Sequence, residues 1–343
     1  MKARALIVPR DRGEDVRRTL VRAGLLRTDL AILREGSRLA LPVVDRLPLP
    51  VGPGEEGERE FLSLRPPGPT DYRELLGLPP DERRQLPRAF DVVGDVVVVR
   101  VPDELAARAR EIGRALLSFV PGARIVGLDR GVRGTERRRT LEAIAGSGGW
   151  RTRHRENGVE IEVDLDRAYF SPRLAREHAL VAASVEPGDR VYDLCCGVGP
   201  FALTIARDAR ARAITAVDSN PEALALLRSS YSRQRFGVPL SARETSVEAF
   251  APTAEPVERV ILNLPLEGIK YLPSVARTVA GRGRLYYYEV TPRTEVERRG
   301  EAVVRALDRP EEWTVADQHV VHPYSPRADL LAIVLEHGPG ERR

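Results

Sequence analysis

The chain has 343 residues, 30% of them charged and 42% apolar, with a net charge of +4 at pH 7. That length implies two or three domains, and no apolar stretch approaches the ~20 residues that span a bilayer. The two cysteines, Cys195 and Cys196, are adjacent and read as part of a strand, and the five histidines are scattered, so the spacing offers neither a disulfide framework nor a metal site and fits a reducing cytoplasm.

The N-terminus, Met1 to Pro9, reads as a first strand without the long apolar core of a signal peptide. Asp11-x-x-Glu14 has the pattern of a capping box opening a helix with Val16, Leu20 and Ala23 as its apolar stripe and Gly24 at its end. Strands are expected over 30–34 and 38–43, joined at Glu35-Gly36-Ser37. These elements make a small α+β domain over 1–46. Residues 47–87 are rich in proline, glycine and charge and read as a linker with at most one short helix near Tyr72 to Gly77.

A middle α+β domain is expected over 88–165. Val96 to Val101 reads as a strand buried on both faces, Pro102-Asp103-Glu104 opens a helix to about Ser118, and a strand over 124–128 follows. Glu160 to Val163 alternates as another strand. The basic residues are almost all arginine, with Lys2 and Lys270 the lysines; a GC-rich genome explains that bias as readily as a nucleic-acid partner does. Clustering says more. Arg130, Arg133, Arg137, Arg138 and Arg139 fall together, with Arg151, Arg153 and Arg155 close behind, and they form either a phosphate-gripping segment or a solvated helix face.

The third domain, 166–343, opens with a helix through Glu177 to Val185. Strands then alternate with helices at 191–195, 214–218, 241–245, 259–263, 284–290, 314–321 and 329–336. This rhythm predicts an α/β, doubly wound parallel sheet. The loop His322 to Arg327 is too short for a crossover, so the last two strands pair antiparallel. A seven-stranded sheet with one reversed strand resembles the Rossmann-like class I S-adenosylmethionine-dependent methyltransferases.

Five signals at strand ends carry the chemistry. Gly197 and Gly199 form a turn after Asp193, where glycine permits close backbone approach to a ligand at the carboxyl edge of the sheet. Asp218 ends the second strand, suited to both hydroxyls of a ribose or to capping the helix that starts at Asn220-Pro221. Asn263-Leu264-Pro265 ends the fourth strand, where an amide presents a donor and an acceptor to a nucleobase edge or closes an Asx turn. By pattern alone Glu177 and Arg137 do not stand out from surface ion-pair residues.

The whole chain resembles the archaeal and eukaryotic tRNA (guanine-37-N1)-methyltransferases. The matching stretches are Arg22 to Pro42, Phe90 to Glu104, Gly134 to Gly146, His154 to Asn157, Tyr169 to Glu177, Asp193 to Phe201 and Asn263 to Pro265. The resemblance implies two small domains before a catalytic one, S-adenosylmethionine as cofactor, and tRNA as partner, contacted at its elbow and anticodon loop. It puts a general base on Glu177, a charge-stabilising arginine at guanine O6 on Arg137, and a base-holding amide on Asn263. Cofactor contacts are implied at Tyr169, Arg173, Asp193, Gly197, Gly199, Phe201, Asp218, Asn220, Ser246, Asn263 and Pro265, and RNA contacts at Arg130, Arg133, Arg138, Arg139, Arg151 and Arg153. A cytoplasmic monomer that binds neither membrane nor DNA is expected. Two positions depart from the family: Cys195-Cys196 stand where it usually carries Phe-Ala, and Ser246 stands near its third-strand acid, with Glu244 and Glu248 as neighbouring carboxylates. Three other readings share these motifs: an aminocarboxypropyltransferase of the wybutosine pathway, a dual-function methyltransferase of guanosine and a later tricyclic base, and an RNA-binding module without catalysis.

Overall fold

The computed structural model describes residues 1–44, 54–64, 69–133, 138–208 and 210–338, with the side chains of 132, 133 and 138 excepted. Two compact units divide the chain, Met1–Leu75 and Leu76–Arg343.

In the first unit, β1 (Lys2–Pro9), α1 (Gly13–Arg22), β2 (Leu33–Glu35), β3 (Arg38–Pro42) and β4 (Glu55–Glu60) form an antiparallel sheet in the order β2-β3-β1-β4 with one helix. β1 is buried on both faces. Ala3, Ala5 and Ile7 pack with Leu30 and Phe61, while Leu6 and Val8 pack with Val16 and Leu20 of α1. The period-2 alternation thus feeds two thin apolar layers. Three expectations are corrected here. β4 lies inside the stretch read as a linker, because its charged residues suit an edge strand. The capping box does not form; Glu14 instead pairs with Arg17 and Arg18, and Arg12 is the N-cap. Ala23 is exposed, so the stripe of α1 is Val16 and Leu20 alone.

The second unit begins with α2 (Pro80–Gln85), also within the expected linker. β5 (Phe90–Val93), β6 (Val96–Val99), α3 (Ala109–Phe119), β7 (Ile125–Arg133) and β8 (Arg138–Gly146) follow, as a four-stranded sheet in chain order. Every residue of β6 is buried, and α3 makes the crossover to the parallel strand β7. β9 (Arg151–Glu156) and β10 (Val159–Asp164) form a separate hairpin, turned at Asn157-Gly158 with both residues at positive φ. The described arginines of the cluster, Arg130, Arg133, Arg138 and Arg139, therefore lie on strands with Arg151, Arg153 and Arg155, and for them the helix-face alternative is set aside.

The remainder runs α4 (Ala175–Ser184), β11 (Arg190–Leu194), α5 (Pro200–Asp208), β12 (Ala213–Asp218), α6 (Pro221–Arg233), β13 (Leu240–Glu244), α7 (Val247–Phe250), β14 (Val257–Asn263), α8 (Leu272–Ala276), β15 (Val279–Pro292), α9 (Arg299–Arg305), β16 (Trp313–Ser325) and β17 (Ala328–His337). The seven strands lie in the order β13-β12-β11-β14-β15-β17-β16, and β17 is antiparallel to both neighbours. Side chains alternate between two cores. Val191, Ile214, Ile261, Tyr286 and Tyr288 enter one, while Leu194, Val217, Leu262, Leu285 and Tyr287 enter the other. β15 begins at Val279, five residues before its expected start, and two further boundary differences bear on the site. β11 ends at Leu194, which puts both cysteines in the following turn, and β16 extends to Ser325, which puts His322 and Tyr324 on a strand. No helix among the described residues is long and apolar enough to cross a membrane, and no metal-ligand cluster occurs among them.

Candidate active site

The turn after β11 is built from unusual backbone. Cys195, Gly197 and Gly199 have φ of 59°, 56° and 75°. A Cβ on Gly199 would lie 2.3 Å from Cδ1 of Leu227, so α6 packs against the turn only because that position is glycine. The Gly197 N–H donates to Asp218 Oδ2 at 2.7 Å, and the Asn220 N–H donates to Asp218 Oδ1 at 2.8 Å. Asp218 thus joins the ends of β11 and β12. The helix cap belongs to Asn220, whose side chain accepts from Glu222 and Ala223 and donates to the Arg167 carbonyl.

Above this turn lies a cavity of about 360 Å3. Tyr169, His178, Gly197, Asp218, Asn220, Thr245, Ser246, Asn263, Pro265, His322 and Tyr324 are among the residues that line it. The wall is therefore assembled from the ends of β11, β12, β13, β14 and β16, the carboxyl edge of the sheet where ligands bind in this architecture. Its size and its mixed lining suit a nucleoside. Of the residues expected to hold a cofactor, Tyr169, Gly197, Asp218, Asn220, Ser246, Asn263 and Pro265 line the cavity, whereas Arg173, Asp193, Gly199 and Phe201 do not. Arg173 pairs with Asp91 at 2.8 Å, and Phe201 packs its ring against His178 and Tyr288. Ser246 caps α7 by accepting from the Ala249 N–H at 3.2 Å, while Glu244 and Glu248 are exposed and neither lines the cavity.

Two polar atoms near this wall have no hydrogen-bond partner among the described residues: Asn263 Oδ1 and His178 Nε2. Both are buried, so each leaves an open valence beside the cavity. The free Asn263 oxygen removes the Asx-turn alternative. Asp193 is fully buried, with Oδ2 accepting from the Ala202 N–H at 3.1 Å and Oδ1 unpartnered among the described residues. Burial raises its carboxyl to about 7, aided by the charge of Asp218 and opposed by the Ala202 N–H. Burial also pushes the Cys195 thiol up to about 12 and Cys196 upward, so both stay protonated and neither is a nucleophile.

Glu177 is 3% exposed, which sets it apart from a surface ion-pair residue. Its Oε2 accepts from the Tyr288 hydroxyl at 3.3 Å, and Tyr288 is the register partner of Asn263 across β14 and β15. Its Oε1 lies 3.1 Å from Nε2 of His319. The neighbouring His178 holds Glu156 at 2.5 Å through Nδ1; burial opposes ionisation of Glu156, but the bonds from His154 and His178 bring it down to about 2. Tyr288, His319 and His178 were not singled out in the sequence, since histidines and tyrosines there follow no motif. Arg137 lies outside the described residues.

The arginines expected to touch RNA divide. Arg130, Arg151 and Arg153 are 45%, 62% and 60% exposed, paired with Glu142, Glu162 and Glu160. Arg139 is corrected to a structural residue: it is 8% exposed and reaches Asp91, Asp129 and the Phe170 carbonyl, with Tyr169 under its guanidinium. The side chains of Arg133 and Arg138 lie outside the described ones.

The comparisons with known proteins agree with this architecture. The TRM5/TYW2 methyltransferase domain matches residues 152–315, the tRNA methyltransferase 5 N-terminal domain matches 5–48, and the TYW2 N-terminal domain matches 72–149. The tRNA (guanine(37)-N(1))-methyltransferase Trm5b of Pyrococcus abyssi is 33% identical over 96% of this chain and 97% of its own. Its counterpart from Methanocaldococcus jannaschii is 28% identical over the same shares. The crystal structure of the P. abyssi protein superposes with a TM-score of 0.72 at 30% identity, covering 98% of this chain and 99% of that one. A complex of aTrm5 with tRNALeu gives 0.69 at 27% identity, covering 97% and 99%. The chain belongs to the tRNA (guanine-37-N1)-methyltransferase family, within the TRM5/TYW2 methyltransferases.

Proposed function

We propose that the chain transfers a methyl group from S-adenosylmethionine to N1 of guanosine-37 in tRNA. The observation that carries this reading is the unpartnered Asn263 amide oxygen in one wall with the Gly197 turn and the Asp218 carboxylate. The residues fit the cofactor. Asp218 would take the ribose hydroxyls, the Gly197 backbone would allow close approach, and Tyr169, Asn220 and the Thr245–Val247 stretch, which line the same cavity, would enclose the rest. Bound there, S-adenosylmethionine supplies an activated methyl group.

The chain's own residues handle the base. Asn263 offers its amide to the edge of a guanine that has left its stack. Glu177 takes the N1 proton as general base, its carboxylate oriented by Tyr288. Arg137 stabilises the negative charge that develops on O6. Arg130, Arg151 and Arg153, with Arg133 and Arg138, neutralise phosphates of the anticodon arm, and the N-terminal domain, 1–46, docks the tRNA elbow. The protein acts as a cytoplasmic monomer.

The test is transfer from S-adenosylmethionine, labelled separately in its methyl and carboxyl groups, to tRNA transcripts carrying G or A at position 37. Methyl label entering only the G37 transcript supports the proposal. Carboxyl label entering a tRNA that bears the tricyclic precursor would assign the aminocarboxypropyl reaction instead, and no label entering either tRNA would leave an RNA-binding module.

A further inference from the structure

Glu177 does not stand alone. Its Oε1 lies 3.1 Å from His319 Nε2, and His319 Nδ1 lies 2.8 Å from Asp317 Oδ2. Side-chain exposure climbs along this line, 4% at Glu177, 34% at His319 and 59% at Asp317. The three groups form a hydrogen-bonded path from a buried carboxylate to solvent. Asp317 and His319 are two apart on β16 and so share a face of that strand. The register of β16 against β17 shifts between Val315 and Asp317 and again between Val320 and His322, and such bulges re-aim side chains.

We propose that His319 is the positioning residue of Glu177 and the exit for the proton that Glu177 removes from its substrate. The inference rests on Glu177 being the general base. One proton moves and no covalent bond to carbon is involved. Once Glu177 holds the substrate proton, its O–H donates to Nε2 of a neutral imidazole whose Nδ1–H donates to Asp317. The substrate N–H bond breaks and its proton passes to the carboxylate; the carboxylic acid then gives that proton to Nε2, and the imidazolium releases one from Nδ1 through Asp317 to water.

The groups that face this imidazole are few. Glu177 approaches from α4 and Asp317 from its own strand, while its register partner on β17 is Ala332 and Tyr288 of β15 reaches only the far oxygen of Glu177. Partial burial disfavours the imidazolium, but the two carboxylates outweigh it and raise His319 above the ordinary imidazole value. Below that value both ring nitrogens donate and Nε2 has no lone pair to offer. Turnover therefore rises with pH as His319 becomes neutral.

The experiment is single-turnover methylation of a G37 transcript at saturating S-adenosylmethionine, across pH 5.5–9, for wild type, His319→Ala, His319→Gln and Glu177→Gln. His319→Ala should be slower by on the order of 10²-fold, lose the limb that rises above pH ~6.5, and recover with added imidazole. Cofactor and tRNA affinities should stay at wild-type values, which also checks folding. His319→Gln can offer Glu177 an amide donor but cannot carry a proton away, so it should be as slow as His319→Ala. Wild-type rates and an unchanged pH profile in either variant would overturn the proposal, as would full activity of His319→Gln, which would reduce the residue to a hydrogen-bond donor. Glu177→Gln separates the premise: if it turns over at the wild-type rate the base assignment itself fails, whereas a slow Glu177→Gln beside a fast His319→Ala removes only the relay.

Discussion

Asp193 allows a pH-dependent stability to be worked from the structure. Its carboxyl is raised from the ordinary 3.8 to about 7 by complete burial. Below the unfolded value both states hold the proton. Between the two values the folded chain keeps it and the unfolded chain loses it, so folding takes up a proton and stability falls as pH rises. Above about 7 both states are ionised and the loss is complete. The difference is worth at most about 4 kcal/mol, of which about 2.5 kcal/mol develops from pH 5 to 7. Asp193→Asn keeps an acceptor for the Ala202 N–H and cannot ionise. The assay is urea unfolding at pH 5, 6, 7 and 8, followed by tryptophan fluorescence; both tryptophans, Trp150 and Trp313, lie in the unit Leu76–Arg343, so the signal reads that unit alone. Other titrations cancel in the difference between variant and wild type. That difference should move in favour of Asp193→Asn by about 2.5 kcal/mol from pH 5 to 7 and then level off. A difference that stays flat from pH 5 to 8 would refute the reasoning and place the proton elsewhere.

Other outcomes follow from particular contacts. Arg139→Ala leaves Asp91 covered by Arg173 and Asp129 still near Arg100 and the Gly131 N–H, so no carboxylate is stranded and unfolding should cost about 1–2 kcal/mol less, as calorimetry would read. Arg153→Ala should leave stability unchanged and make the dependence of log tRNA affinity on log salt shallower by about one, measured by filter binding from 50 to 300 mM salt. Gly199→Ala combines a φ of 75° with the clash on Leu227 and should cost about 1–3 kcal/mol in urea unfolding together with weaker cofactor binding in calorimetry. Asn263→Ala should lower single-turnover methylation at least 10²-fold while the melting temperature holds, because its oxygen makes no bond among the described residues.

The catalytic sheet was legible because each of its signals is local. Strands buried on both faces read as apolar runs, and a residue that ends a strand, such as Asp218 or Asn263, is found by where the run stops. The N-terminal unit was harder. Glu55–Glu60 carries four glutamates in six residues, and nothing in that composition announces a strand until β1 supplies its register. Asn157-Gly158 is the opposite case, a hairpin signal that the arginines around it obscured, since Arg151, Arg153 and Arg155 read as charge before they read as alternate positions of β9.

The site divides along the same line. Residues proposed to bind through the backbone or a strand end carry a motif; those proposed to set protonation do not. Glu177 and His319 are separated by 142 positions, and their contact joins α4 to the edge strand β16, whose register against β17 shifts on either side of His319. Asp317-x-His319 is a period-2 pair on any strand, and a histidine among carboxylates is more often a surface residue than a relay. What distinguishes this one is the gradient of exposure from Glu177 outward, a property of the folded chain. If Glu177 is the base, a proton it accepts has one hydrogen-bonded way to water among the described contacts, the Tyr288 hydroxyl on its other oxygen being held in its neutral form by burial and by Glu177 itself. On that reading a proton left on a buried carboxylate slows the next turnover, and the burial of Glu177 and the placement of His319 belong to one proposal that the His319 variants test together.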